Sequence, residues 1–207
     1  MGFNHTLYNR AFLDELEQEL NTDILLFGID GFAYFGHLQR IENCRTAILA
    51  PAIAACTSDV EIITPGGCVA TVDFVRIDLC NIIAKGTGIV RDPVFCNQEP
   101  TGNCCCKRDE EESVELPDAD RLERDDDCTV RQLRRLIGND VALTTLGGFL
   151  FQGILSDVCH NLALLSIDEI FVPGGSGYLS DRNIRSVTIN IKALEAIAEN
   201  RRDCCCQ

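Results

Sequence analysis

Between Asp140 and Asp157 the chain alternates with a period of two. Val141, Leu143 and Thr145 interleave with Ala142 and Thr144, and Phe149, Phe151, Gly153, Leu155 and Asp157 then occupy every second position. That period belongs to strands, whose side chains point to opposite faces in turn. Gly147-Gly148 separates the two runs and supplies the positive φ that a two-residue hairpin needs. Gly153 lies inside the second run, where a glycine costs stability unless the sheet bends sharply or another backbone comes close. The pattern therefore predicts a short, closed, strongly bent β-barrel.

The same pattern occurs earlier in the chain. A shift of 117 positions lays Asp23-Ile24 on Asp140-Val141, Asp30-Gly31-Phe32 on Gly147-Gly148-Phe149, Tyr34 on Phe151, Gly36 on Gly153 and Leu38 on Leu155. Pro65-Gly66-Gly67 recurs as Pro173-Gly174-Gly175, and Val75-Arg76 is matched to Ile184-Arg185, with the offset about nine shorter. Two units that meet the same geometry independently imply a tandem architecture.

Each unit is preceded by a helical pattern. Phe12, Leu13, Leu16 and Leu20 share one face of residues 10–20, and Val130, Leu133 and Leu136 or Ile137 form a stripe over 129–137, with Thr129 and Gln132 spaced as a capping box. Strands are expected near 23–29, 32–43, 45–55, 59–64 and 70–83, and again near 140–146, 149–159, 161–167, 169–172 and 183–191. Pro51 argues for an interrupted or edge strand. A last helix is expected over 192–200. The domains are then 1–90, a linker at 91–128, a second unit at 129–200 and a tail at 201–207.

Charge changes the picture by its location. The chain of 207 residues carries a net charge of −14, and residues 107–127 alone hold eleven acids against four bases. This linker reads as flexible and charge-extended. Neither β unit has the Lys/Arg excess that nucleic-acid binding normally needs, so no nucleic-acid partner is expected. No stretch approaches the roughly twenty apolar residues of a membrane-spanning helix, and no membrane insertion is expected. The N-terminal residues lack the basic start, apolar run and small-residue cleavage site of a secretory signal.

The short helix, the bent five-stranded unit and the mid-strand glycine resemble the Sm/Sm-like fold. The likeness rests on Gly153-Ile-Leu155-Ser-Asp157-Val158 with Asn161, and on Asn183-Ile184-Arg185-Ser-Val187. In the first unit it rests on Gly36-His-Leu38, Ile41 with Asn43, and Val75-Arg76-Ile77. The resemblance implies a mainly β protein of two tandem Sm-like five-stranded barrels, each behind a short helix and joined by an acidic, Cys-rich linker. It also implies assembly by sheet-edge pairing into rings or helical tubes. The family's RNA-binding role would fall on Asp157, Asn161 and Arg185, but the first unit has Arg40 and Cys44 where 157 and 161 match. RNA binding by a ring is therefore the alternative reading, beside a metal-thiolate module.

Thirteen cysteines carry the remaining chemistry. Cys104-Cys105-Cys106 and Cys204-Cys205-Cys206 are contiguous triplets, and neighbouring cysteines are poorly placed to bond each other across a planar trans peptide. Each triplet must look outward, and Cys96 and Cys128 flank the linker as further cross-linking candidates. Cys80 and Cys159 read as small apolar packing residues. Zinc sites favour paired CxxC knuckles, often with histidine, whereas His5, His37 and His160 read as packing residues, so no metal or other cofactor is expected. Spacing nominates no Ser-His-Asp set and no phosphate-cradling loop, and no enzyme activity is expected. The expectation is a self-assembling structural protein, a homopolymer cross-linked by disulfides. It fits an extracellular filament or tube, or a spore coat or appendage layer, at a cell or spore surface reached without a recognisable signal peptide.

Overall fold

The computed structural model describes residues 7, 9–53, 59–89, 128–174, 178–180 and 184–199. Helix α1 (Arg10–Gln18) is capped by Asn9, whose side chain accepts from the Ala11 backbone N–H at 3.0 Å. Its Phe12, Leu13 and Leu16 are buried. Seven strands follow: β1 (Asp23–Gly28), β2 (Ala33–Glu42), β3 (Thr46–Ala50), β4 (Val60–Ile63), β5 (Val69–Val72), β6 (Val75–Asp78) and β7 (Ile82–Thr87). After α2 (Cys128–Arg134) come β8 (Asp140–Thr145), β9 (Leu150–Cys159), β10 (Leu162–Phe171), β11 (Tyr178–Ser180), β12 (Ser186–Asn190) and β13 (Leu194–Glu199).

All thirteen strands among the described residues belong to one antiparallel sheet, in the order β13-β8-β9-β10-β12-β7-β1-β2-β3-β6 with β4, β5 and β11 off this path. The repeat is visible in it. The 117-position shift carries β1 onto β8 and β2 onto β9 end for end, and a 112-position shift carries β7 onto β13 and Val75–Asp78 onto Val187–Asn190. Asp78 and Asn190, twins under that second shift, each cap a single 3-10 turn by accepting from the backbone N–H two residues on. Each repeat thus runs in the order fifth, first, second, third, fourth strand: β7-β1-β2-β3-β6 and β13-β8-β9-β10-β12.

At both mid-strand glycines another backbone comes close. A Cβ on Gly36 would lie 2.7 Å from the Ala50 carbonyl oxygen, and one on Gly153 would run into the Ser166 carbonyl. In each repeat the neighbouring strand's backbone passes where a side chain would stand. Both pairings also shift register nearby, at Leu38/Arg40 and at Leu164/Leu165. Bulges of this kind increase local bending and twist.

Several expectations are corrected. The fold is mainly β as anticipated, but among the described residues the sheet does not close: β6 and β13 stand at the two ends of its strand order. Residues 194–199 form a strand on β8, not a helix. Leu194-Glu-Ala-Ile-Ala-Glu is made largely of good helix formers, and pairing with β8 overrides that propensity. The expected strands at 161–167 and 169–172 are the single strand β10, and the expected strand at 70–83 divides into β5, β6 and β7. Thr129 sits inside α2, after its first residue Cys128, so it is not the cap. Val75 is the twin of Val187, three residues beyond the Ile184 suggested by sequence, because the stretch from Pro173 to Val187 is longer than that from Pro65 to Val75. No helix among the described residues is long and apolar enough to cross a membrane.

Candidate functional site: the joint between repeats and the open edges

Strand β1 reads Asp-Ile-Leu-Leu-Phe-Gly, with Ile24 to Phe27 all fully buried. A strand buried on both faces needs two cores, and β1 serves two. Ile24 and Leu26 join α1, Leu38 and Leu49 in the first repeat's own core. Leu25 and Phe27 turn the other way, into the cluster that holds Val141, Leu143, Leu155 and α2 of the second repeat. Phe27 meets Phe149 and Phe151 edge-on, with ring centroids 5.1 Å away in both cases. The first repeat therefore completes the core of the second.

Backbone pairing seals the same joint. β12 runs antiparallel to β7, with Ser186 opposite Thr87, Val187 opposite Gly86, Thr188 opposite Lys85 and Ile189 opposite Ala84. The Thr87 and Ser186 hydroxyls lie 3.0 Å apart. Helix α1 reaches across as well: Asn9 Nδ2 donates to the His160 carbonyl at 3.1 Å, and Asn190 Nδ2 donates to the Leu7 carbonyl at 2.6 Å. An open groove of about 400 Å³ follows the joint beside α1 and includes Glu15, Glu19, Lys85, Asp157 and Cys159. Lys85 is almost fully enclosed there and bridges Glu15 and Glu19, both at 3.3 Å.

The outer ends of the sheet carry the same positions uncovered. Leu25, Phe27, Ala33 and Ala84 are fully buried, whereas their twins Ala142, Thr144 and Leu150 are half-buried and Ala196 is exposed. In the reverse sense Phe149, Phe151 and Val187 are fully buried, while Phe32, Tyr34 and Val75 are half-buried. Phe32 and Tyr34 stack on each other at 6.4 Å. Burial, and then the neighbouring Asp30 carboxylate, raises the Tyr34 phenol above its ordinary range. Phe74, just before β6, is 58% exposed, with the Arg76 guanidinium 5.7 Å from its ring centroid. At the far end of β6 Arg45 pairs with Asp78 at 2.9 Å, and this hydrogen-bonded contact holds the Asp78 carboxyl below the usual carboxylate range.

Cys128 is exposed at the start of α2, while Cys96, Cys104, Cys105, Cys106, Cys204, Cys205 and Cys206 lie outside the described residues. Cys44 and Cys68 are exposed, Cys80 and Cys159 half-buried, and these five described cysteines are free thiols. Burial, followed by the Asp157 charge, pushes the Cys159 thiol up to about 11. Asp157 is exposed on β9, and Asn161 lies in the β9–β10 turn with φ 61°, its carbonyl accepting from Ile191 N–H at 2.9 Å. Arg185 stands at the opposite end of β12, hydrogen-bonded through its backbone to Ile167 and Thr87. One five-residue strand, about 16 Å at the usual rise, separates it from Asn161, so the three residues do not converge. The residue that follows Asn190 by two, beside the Asn161 turn, is Lys192.

The joint is not evident from the sequence, although one signal for it is present. Ile24 to Phe27 is an unbroken apolar run, the mark of a strand covered on both faces, whereas its twin β8 alternates. No protein-family model and no curated protein matches the chain.

Proposed function

We propose that this is a self-assembling structural protein: tandem Sm-like units that polymerise through their sheet edges into a filament, tube or coat-like layer, locked by disulfides from the cysteine triplets. The observation that carries the reading is the joint itself. Two like units are already paired edge to edge within the chain, through β7 and β12, and no strand among the described residues covers the corresponding edges of β6 and β13. Open edges invite pairing with another chain unless they are blunted or covered.

The likeness to Sm-like units is supported by the helix before each bent sheet, by the glycine in each second strand and by the pairing between units. The role of the thiols rests on their distribution. Contiguous triplets in the linker and tail suit bonds between neighbouring chains, and each bond would add a few kcal/mol by restricting unfolded chains. A cross-linked assembly of this kind fits a spore coat or a surface appendage exposed to an oxidising exterior.

The test is to run native material on gels with and without reductant and to image it by electron microscopy. Ladders that collapse on reduction, together with filaments, tubes or sheets, are expected. Single particles of monomer size with a monomer band in both lanes would refute the reading.

A further inference from the structure

From the burial of twin positions we propose that the two ends of the sheet are the two halves of one joint, so that β6 of one molecule pairs with β13 of a second copy in a defined register. This inference rests on the assembly reading above and adds its partner, direction and specificity.

The register follows from the repeat. β12 and β7 meet within the chain, and the 112-position shift converts that pairing into one between β6 and β13. Ser186 opposite Thr87 becomes Phe74 opposite Glu199. Val187 opposite Gly86 becomes Val75 opposite Ala198, Thr188 opposite Lys85 becomes Arg76 opposite Ile197, and Ile189 opposite Ala84 becomes Ile77 opposite Ala196.

The chemistry of the two ends suits this pairing. One end offers large side chains, Phe32, Tyr34, Phe74 and Val75, none of them fully buried. The other presents small ones, Ala142, Thr144, Ala196 and Ala198, all half-buried or exposed. Inside the chain the bulk lies on the other partner, where Phe27 enters the second repeat's core. Charge is complementary too. Arg76 and Glu199 are both exposed, and in this register they become diagonal neighbours on one face, within reach of an ion pair. A β6–β6 contact would face Arg76 with a second Arg76, and a β13–β13 contact would bring together two strands carrying Glu195 and Glu199. The joint therefore forms only head to tail, and a heterologous joint propagates.

The test uses the full chain under reductant, so that thiols cannot hold copies together, with sedimentation velocity across a concentration series at low and high salt. Wild type is expected to assemble, less readily in high salt. Arg76→Glu and Glu199→Arg each place like charges across the joint, and each is expected to raise the concentration needed for assembly about tenfold or more. Mixing the two variants sets the carboxylate introduced on β6 of one against the guanidinium introduced on β13 of the other, and leaves the reciprocal joint as in wild type, so the mixture is expected to recover. Circular dichroism checks that both exposed substitutions leave the fold intact. If wild type assembles and the single variants match it, or the mixture fails to recover, the register is wrong while assembly stands. Assembly that appears only on oxidation means that the thiols, not the edges, form the joint, and the proposal falls. A chain that stays monomeric both reduced and oxidised removes the assembly reading as well.

Discussion

Replacing Phe27 by alanine tests whether the two repeats share a core. Phe27 belongs to the first repeat by sequence, is fully buried, and lies edge-on to Phe149 and Phe151 of the second. Truncating a buried phenylalanine costs about 3–5 kcal/mol through lost transfer energy and the cavity left behind. Edge-on aromatic pairs are worth about 0.5–1.5 kcal/mol beyond area, which places this site toward the upper half of that range. At roughly 2–4 °C per kcal/mol for a chain of this size, about 4 kcal/mol lowers the midpoint by about 8–16 °C. Urea unfolding followed by circular dichroism measures the loss, and hydrogen exchange read by mass spectrometry locates it. Amides of β8, β9 and β10 are expected to lose protection together with those of β1, because the void opens in the second repeat's core. A loss below about 1 kcal/mol, or exchange that rises only in the first repeat, would show that the repeats fold independently.

Other substitutions read other parts of the structure. Lys85→Ala strands the Glu15 and Glu19 carboxylates at the joint; with those partly exposed, a loss of about 2–3 kcal/mol is expected in denaturant melts, toward or below the low end for a broken buried pair. Installing the second repeat's own residues at these positions, Lys85→Ile with Glu15→Gln and Glu19→Leu, is expected to recover most of it, and a triple variant no better than Lys85→Ala counts against the pairing. Gly153→Ala drives a methyl into the Ser166 carbonyl and is expected to cost more than about 2 kcal/mol, whereas Gly66→Ala, with nothing within 4 Å, stays within about 0.5 kcal/mol of wild type by the same melts. Cys159, raised to about 11 from an ordinary 9.0, holds about a hundredfold less thiolate at pH 8, so iodoacetamide mapped by mass spectrometry should modify it far more slowly than exposed Cys68. Because this acid is harder to ionise when folded, its contribution to stability is complete below pH 9 and is lost as pH rises toward 11; equal labelling of the two thiols in the native protein would contradict the burial.

The parts of this fold that were legible in sequence are local ones. β8 and β9 announce themselves by alternation and by the glycine pair between them, and β1 and β2 follow by the 117-position shift, since a hairpin is specified by its own residues. Strand β13 was hidden because its residues favour a helix in isolation and only β8 makes them extended. The first repeat's β3 was overextended because Pro51 and the Ala-rich run after Ile48 carry no clear period. The joint was hidden for a different reason. β7 and β12 lie about a hundred positions apart in sequence, and alternation reveals that a strand has two faces but not which partner covers the second. The all-apolar run from Ile24 to Phe27 stated that both faces are covered, and only the fold shows that Phe149 and Phe151 do the covering. Likewise the family resemblance that grouped Asp157, Asn161 and Arg185 said nothing of the length of β12, which holds Arg185 at its far end.

On the assembly reading, fusing two units into one chain makes one of every two joints intramolecular. The linker holds β7 and β12 at high effective concentration, so the inner joint forms on folding and needs no partner. It also hosts the most demanding chemistry, a phenylalanine inserted into a neighbour's core and a lysine enclosed by two carboxylates, both costly to expose in a free subunit. On the proposed reading the outer joint, made and broken between folded chains, uses small residues against half-covered aromatics, surfaces that a separate molecule can leave in water at modest cost. If the outer joint repeats the register of the inner one, each step along the assembly applies nearly the same rotation. The rotation already set between β7 and β12 then decides whether successive copies return to the start as a ring or advance as a helical tube.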